Sequence, residues 1–168
     1  SLKKVLKKDG TITIEFPHLL SLIEKNEFDT IYHEHFFYFS ILALVKIFSK
    51  HNLSIYDLDE LETHGGSLRI YATHVGNYID KNSDKKNVDR VLNKELTYGL
   101  DSLGYYKKLQ HSALSIKLNS LQYLINNKLD GKKIIAFGAA AKGNTFLNYC
   151  GIKTDIIEAV IDETPYKI

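Results

Sequence analysis

Apolar and polar positions change period several times along the chain, and each change marks an element. Residues 1–8 set Leu2, Val5 and Leu6 among lysines, the spacing of a helix's last turns, and Asp9-Gly10 stops it. Residues 11–16 (TITIEF) are β-branched and lie between that turn and Pro17, which predicts a strand. Ser40 is placed to cap a helix whose apolar positions Ile41, Leu44, Val45 and Phe48 keep helical spacing. Lys46, Lys50 and His51 suit its C-terminal end, and Asn52 suits a left-handed exit. Two strands follow, 53–61 and 67–73, joined through Glu62-Thr63-His64-Gly65-Gly66 as an antiparallel hairpin. Residues 76–87 are polar and predict a linker. A long helical stretch over 88–127 carries one apolar stripe, Leu114, Leu118, Leu121 and Ile125, with Gly99 and Gly104 as dividers into two helices. Residues 132–162 read strand, glycine turn, helix, buried strand.

That order predicts an α/β chain. Its first block is compatible with a mostly parallel sheet ending in an antiparallel strand, whose opening strands would precede Ser1. Its last block starts a second α/β unit. The chain has no methionine and stops at Pro165-Tyr166-Lys167-Ile168 just after a strand, so both ends are expected to be cut from a longer protein.

Composition narrows the class. With 44% hydrophobic residues, 25% charged and only two prolines, the chain can bury a core. A net charge of +2, with basic residues scattered, gives no nucleic-acid surface. No segment approaches the ~20 apolar residues of a membrane span, and no signal sequence opens the chain. A single cysteine, Cys150, excludes an internal disulfide and fits a reducing cytoplasm. It lies on an apolar stretch and is expected to be packed.

Three segments could carry chemistry. In Tyr32-His33-Glu34-His35, imidazoles suited to moving protons near neutral pH flank a carboxylate and follow a phenol. In extended backbone His33 and His35 would share one face, Tyr32 and Glu34 the other. The carboxylate could orient an imidazole, and the phenol could donate to a developing oxyanion. An aromatic loop with solvated histidines fits the same residues, as does a metal site completed by His64 and His74. Gly138 to Thr145, between strand and helix, matches a dinucleotide fingerprint at Gly138 and Gly143 but has Ala140 where the middle glycine belongs. Lys142, Gly143 and Asn144 could still face a phosphate, with Asp162 placed to meet a ribose hydroxyl; a turn without ligand fits equally. For His64-Gly65-Gly66-Ser67, turn chemistry alone accounts for the glycines.

Taken together, FDTIYHEHFFYFS, THGGSLRIYATH and IIAFGAAAKGNTFLNYCGI resemble the signature runs of bacterial C-methyltransferases of nucleotide-linked deoxysugars. The resemblance implies a three-part enzyme: a small zinc-binding N-terminal domain, a central Rossmann-type domain for S-adenosylmethionine and a C-terminal Rossmann-like domain. Residues 1–74 would be the second half of the central domain, and 75–168 the start of the last. The zinc cysteines and the glycine-rich cofactor loop have no counterpart in this chain. The implied substrate is a nucleoside-diphosphate keto-deoxysugar, methylated on a carbon beside its ketone through an enolate. By similarity His35 is the base with Glu34 and Tyr32 alongside. His33 is expected to contact the substrate, and Lys142, Gly143 and Asn144, at the turn before the last helix, to face the phosphates of its nucleotide end. A reductase's nucleotide-sugar or NAD module and a non-catalytic interaction domain are the competing readings.

Overall fold

A computed structural model gives the conformation of residues 2–165; Ser1, where the first predicted helix begins, lies outside the described residues. The chain packs as two compact units. One holds Ser1–Lys25 and Phe37–Lys108, the other Asn26–Phe36 and Leu109–Ile168.

The first unit is built on a sheet of three strands. A short helix α1 (Leu2–Val5) leads to β1 (Ile12–Pro17), and a helix α2 (Leu19–Glu24) follows at once. No pattern flagged α2, although it buries Leu20, Leu22 and Ile23. Helix α3 (Ile41–Lys50) starts where Ser40 predicts, its hydroxyl accepting the Ala43 N–H at 3.2 Å, and Asn52 makes the left-handed exit at φ 54°. The hairpin strands β2 (Leu53–Leu61) and β3 (Ser67–His74) pair antiparallel. Instead of ending the sheet at its edge, β3 returns between β1 and β2 and is antiparallel to both.

Parity decides which residues enter the core. β3 buries Leu68, Ile70 and Ala72, and β1 buries Ile12 and Phe16. β2 buries Leu53 and Ile55, then a bulge shifts its register between Ile55 and Asp57. The shift turns Leu58 inward in place of Asp57, because one extra residue reverses the alternation. On the opposite face Glu15 pairs with Arg69 at 2.8 Å and the Tyr71 hydroxyl donates to Asp59 at 2.7 Å. The sheet is therefore apolar on one side only, as antiparallel sheets tolerate.

The polar stretch expected to be a linker is folded. Helix α4 (Tyr78–Asn82) is capped by Asn77, whose side chain accepts the Asp80 N–H, and Asp80 pairs with Lys85 at 2.9 Å. Its polar residues satisfy one another instead of solvent, which composition cannot distinguish from a linker. Helix α5 (Lys86–Tyr98) packs Val88 and Val91 into the sheet's core and ends at Gly99, φ 84°, the left-handed stop that glycine makes without strain. Residues 74 and 75, with all of α4 and α5, lie in the first unit.

Helix α6 (Leu103–Leu129) carries the border between the units at Lys108 and Leu109, and Gly104 lies in its first turn without dividing it. Three of its four predicted stripe positions, Leu114, Leu118 and Ile125, are exposed, and Leu121 is half-buried. The more covered positions include Ala113, Ile116, Lys117, Ser120 and Leu124 as well. Leucine counting selected a neighbouring strip because Lys117 and Ser120 help to cover the packed one. Strands β4 (Ile135–Phe137) and β5 (Ala159–Ile161) pair parallel around helix α7 (Ala141–Cys150). The expected burial of β5 is absent: Val160 and Ile161 are exposed, and so are Ile135 and Phe137 on β4. In this sheet of two strands each is an edge, so neither is flanked on both sides.

Candidate functional site

The Tyr-His-Glu-His run is a turn, not a strand. The His35 N–H donates to the Tyr32 carbonyl at 3.0 Å, leaving His33 and Glu34 at the two corners, both exposed. A turn reverses the facing that extended backbone would give. Tyr32 and His35 come together, their rings meeting edge-on with centroids 4.9 Å apart. The Tyr32 hydroxyl and His35 Nε2 share a hydrogen bond of 3.2 Å, the phenol donating when Nε2 carries no proton. Tyr32 and His35 are half-buried, so a ligand can reach them from solvent.

Local hydrogen bonds hold this turn. Just upstream, one tight helical turn spans Phe28–Thr30. The Thr30, Ile31 and Tyr32 amides donate in sequence to Glu27, Phe28 and Thr30 carbonyls at 3.1 Å each. Phe28 is buried, and its ring lies 4.9 Å from the Tyr149 ring and 6.4 Å from the Phe146 ring, both on α7.

The other end of α7 carries the second predicted segment. Gly138 has φ +93°, a conformation that only glycine adopts at little cost, and residues 139–140 lead into the helix. Lys142, Gly143 and Asn144 therefore lie in the first turn of α7 rather than in a loop. Ala140 stands at the N-cap and offers no side-chain oxygen, so no side chain caps the helix. Asp162 does not stand open to a ribose: it accepts the Ala139 N–H at 2.6 Å and the Thr164 N–H at 2.8 Å. That use of the acid, with Ala140, weighs against a dinucleotide bound in the usual way. Asn144 is partly engaged too, its side-chain oxygen accepting from Asn148 at 3.1 Å.

A cavity of about 760 Å³ opens beside this turn, bounded by Gly138, Gly143 and Asn144 and by Tyr123, Leu124 and Phe137. Its walls are mostly apolar, and Lys142 is not among them. Cys150 is buried near the end of α7, and burial pushes its thiol pKa up, as expected of a packed cysteine.

His64 and His74, the other histidines weighed as metal ligands, belong to the first unit. His64 sits in the hairpin turn at φ 53°, and the His74 ring meets the Leu6 carbonyl at 3.3 Å. Among the described residues no three His, Cys, Asp or Glu side chains could hold a metal ion together. The glycines after His64 serve the turn: Gly65 and Gly66 have φ +82° and +131°, and a Cβ on Gly66 would lie 2.7 Å from the Ser21 hydroxyl.

One buried polar cluster was missed. Glu95, fully buried on α5, accepts the Ile41 and Leu42 N–H groups at 2.7 Å each and lies 2.8 Å from His18 Nε2. Together with the Ser40 hydroxyl it serves the opening amides of α3. The signal was in the helix period: Val88, Val91 and Glu95 share the buried face, so a carboxylate stands where an apolar residue is expected.

No helix among the described residues is long and apolar enough to cross a membrane. The sequence is 29% identical over 163 residues to the C-methyltransferase NovU of Streptomyces niveus, an alignment that takes in 97% of this chain. The chain spans 38% of that protein's length. Residues 62–168, which include the hairpin turn, α5, α6 and all of the Gly138–Asp162 unit, match the C-methyltransferase C-terminal domain, and the chain belongs to that family.

Proposed function

We propose that the complete protein transfers the methyl group of S-adenosylmethionine to a carbon beside the ketone of a nucleoside-diphosphate keto-deoxysugar, and that this chain supplies the base. Family membership and the likeness to a C-methyltransferase support the reaction class. The observation that carries the residue assignment is the Tyr32–His35 pair, 3.2 Å apart on a turn open to solvent.

His35 takes the proton from the carbon beside the ketone. The C–H bond breaks, its electron pair forms the new C=C bond, and the carbonyl π pair moves onto oxygen. A neutral imidazole is far too weak a base to do this unaided, so a donor must meet the enolate oxygen. Tyr32 is that donor: when Nε2 carries the ring proton and donates to the phenol oxygen, Nδ1 is left to take the carbon-bound proton and the phenol O–H to meet the enolate oxygen. His33 and Glu34, on the exposed corners, contact the sugar. Lys142, Gly143 and Asn144 face the diphosphate, where the uncapped amides of α7 and the Lys142 ammonium favour negative charge. S-adenosylmethionine, when bound, supplies an electrophilic methyl group. Its cradle is not assigned to this chain, because the glycine turn at Gly138 is already held by Asp162.

The test is His35→Gln in the complete protein. Turnover should fall by about 10²–10⁴-fold, the worth of a positioned base, while S-adenosylmethionine affinity stays unchanged. Turnover within twofold of wild type would remove His35 from the mechanism.

A further inference from the structure

The base-bearing turn and the glycine turn are far apart in sequence yet belong to one compact unit, and the buried Phe28 ring meets the helix that carries the glycine turn. We infer that Phe28 is a positioning residue: it ties the Tyr32–His35 turn to helix α7, so that a diphosphate held at the start of α7 fixes the base. This rests on the proposed reading of Lys142, Gly143 and Asn144.

Phe28 is only 8% exposed although its own segment is one helical turn with no core of its own. Its cover comes from Phe146 and Tyr149, whose rings lie within aromatic-contact distance. Tyr149 is held in turn by Lys117, whose ammonium sits over its ring at 5.4 Å and donates to its carbonyl at 3.0 Å. On the α7 side, Phe146 stands one helical turn beyond Lys142 and lines the same cavity as Gly143 and Asn144. On the other side, the successive hydrogen bonds from Thr30 to Tyr32, and from His35 back to Tyr32, leave little slack between the Phe28 ring and the base. A rigid helix therefore has a diphosphate reading at one end and the anchor of the base at the other. A base must sit within hydrogen-bonding reach of the proton it removes, so an anchor of this kind acts on the rate rather than on binding.

The experiment is amide hydrogen exchange on the complete protein, with and without thymidine diphosphate, alongside turnover of a thymidine-diphosphate-linked 4-keto-6-deoxyhexose. In wild type, the nucleotide should slow exchange over residues 138–146 and also over residues 30–35. In Phe28→Ala the first protection should remain and the second should vanish. The kcat should fall by about 10²-fold, the cost of misplacing a catalytic group by ~1 Å, with KM little changed. Phe28→Leu, which keeps apolar volume without the ring, and Tyr149→Ala, which removes the partner from α7, should repeat the pattern if Phe28→Ala does not fold. Protection over 138–146 alone in wild type, or a kcat in Phe28→Leu and Tyr149→Ala equal to wild type, overturns the coupling while leaving the nucleotide reading intact. No protection over 138–146 sinks that reading and the coupling with it. His35→Gln, measured in parallel, reports separately on the base.

Discussion

Replacing Glu95 by alanine should be among the most destabilising single changes in the first unit. The carboxylate is fully buried, and its two oxygens meet the Ile41 N–H, the Leu42 N–H and His18 Nε2 at 2.7, 2.7 and 2.8 Å. Alanine leaves both amides and a 2% exposed imidazole without their shared acceptor. A buried donor stranded in this way costs about 1–3 kcal/mol. Three donors lose one shared acceptor and their costs overlap, so about 4 kcal/mol is expected for Glu95→Ala. Glu95→Gln keeps the shape and one acceptor oxygen but turns an NH₂ toward an amide donor, so about half that loss should follow. Urea unfolding at pH 7, followed by circular dichroism, measures both, with an unchanged slope confirming that the same surface unfolds. If Glu95→Ala costs under 1 kcal/mol, the carboxylate is not what satisfies the start of α3.

The other expectations are simpler. The Ser54 hydroxyl, the Gly76 N–H and the Lys85 ammonium hold the Asp80 carboxyl at about 2, below its ordinary 3.8. A depressed folded pKa stabilises above the unfolded value, so Asp80→Asn should cost about 1–2 kcal/mol at pH 7. In thermal melts from pH 7 to pH 2 the gap to wild type should close between about pH 4 and pH 2; a gap constant with pH would refute it. Titrating thymidine diphosphate against Lys142→Ala in the complete protein should give about tenfold weaker binding, the worth of one charge-assisted contact. Equal affinities, with unchanged KM, would reduce Gly138 to Thr145 to a turn.

What could be read from the chain was whatever depends on local pattern. Ser40 and Asn52 bracket α3 because a hydroxyl cap and a left-handed exit are properties of single residues. The hairpin was legible because alternation and two adjacent glycines act within a few positions. What failed depends on partners distant in sequence. The polar stretch around Asp80 looks like a linker until Ser54 and Lys85 close around it. The stripe on α6 pointed elsewhere because its covered side is set by partners distant in sequence, such as Tyr149 against Lys117 and Glu158 against Lys128.

The candidate site shows the same division at the scale of four residues. Histidine, glutamate and tyrosine in one run announce proton chemistry by their side chains alone. Which of them meet depends on a single backbone choice. Extended, the run offers His33 beside His35; as a turn, it offers Tyr32 to His35 and puts His33 and Glu34 outside. Nothing within Tyr32–His35 forces the turn, since no glycine or proline lies there. The bias comes from upstream, where Phe28 is gripped by the rings of α7 and the chain leaves Thr30 already curled through short-range hydrogen bonds. The pairing that sets the phenol beside the imidazole is thus supported from Phe146 and Tyr149, more than a hundred positions away. For that reason a substitution on the far side of α7 tests the catalytic geometry more sharply than one beside His35, where loss of chemistry and loss of position would look the same.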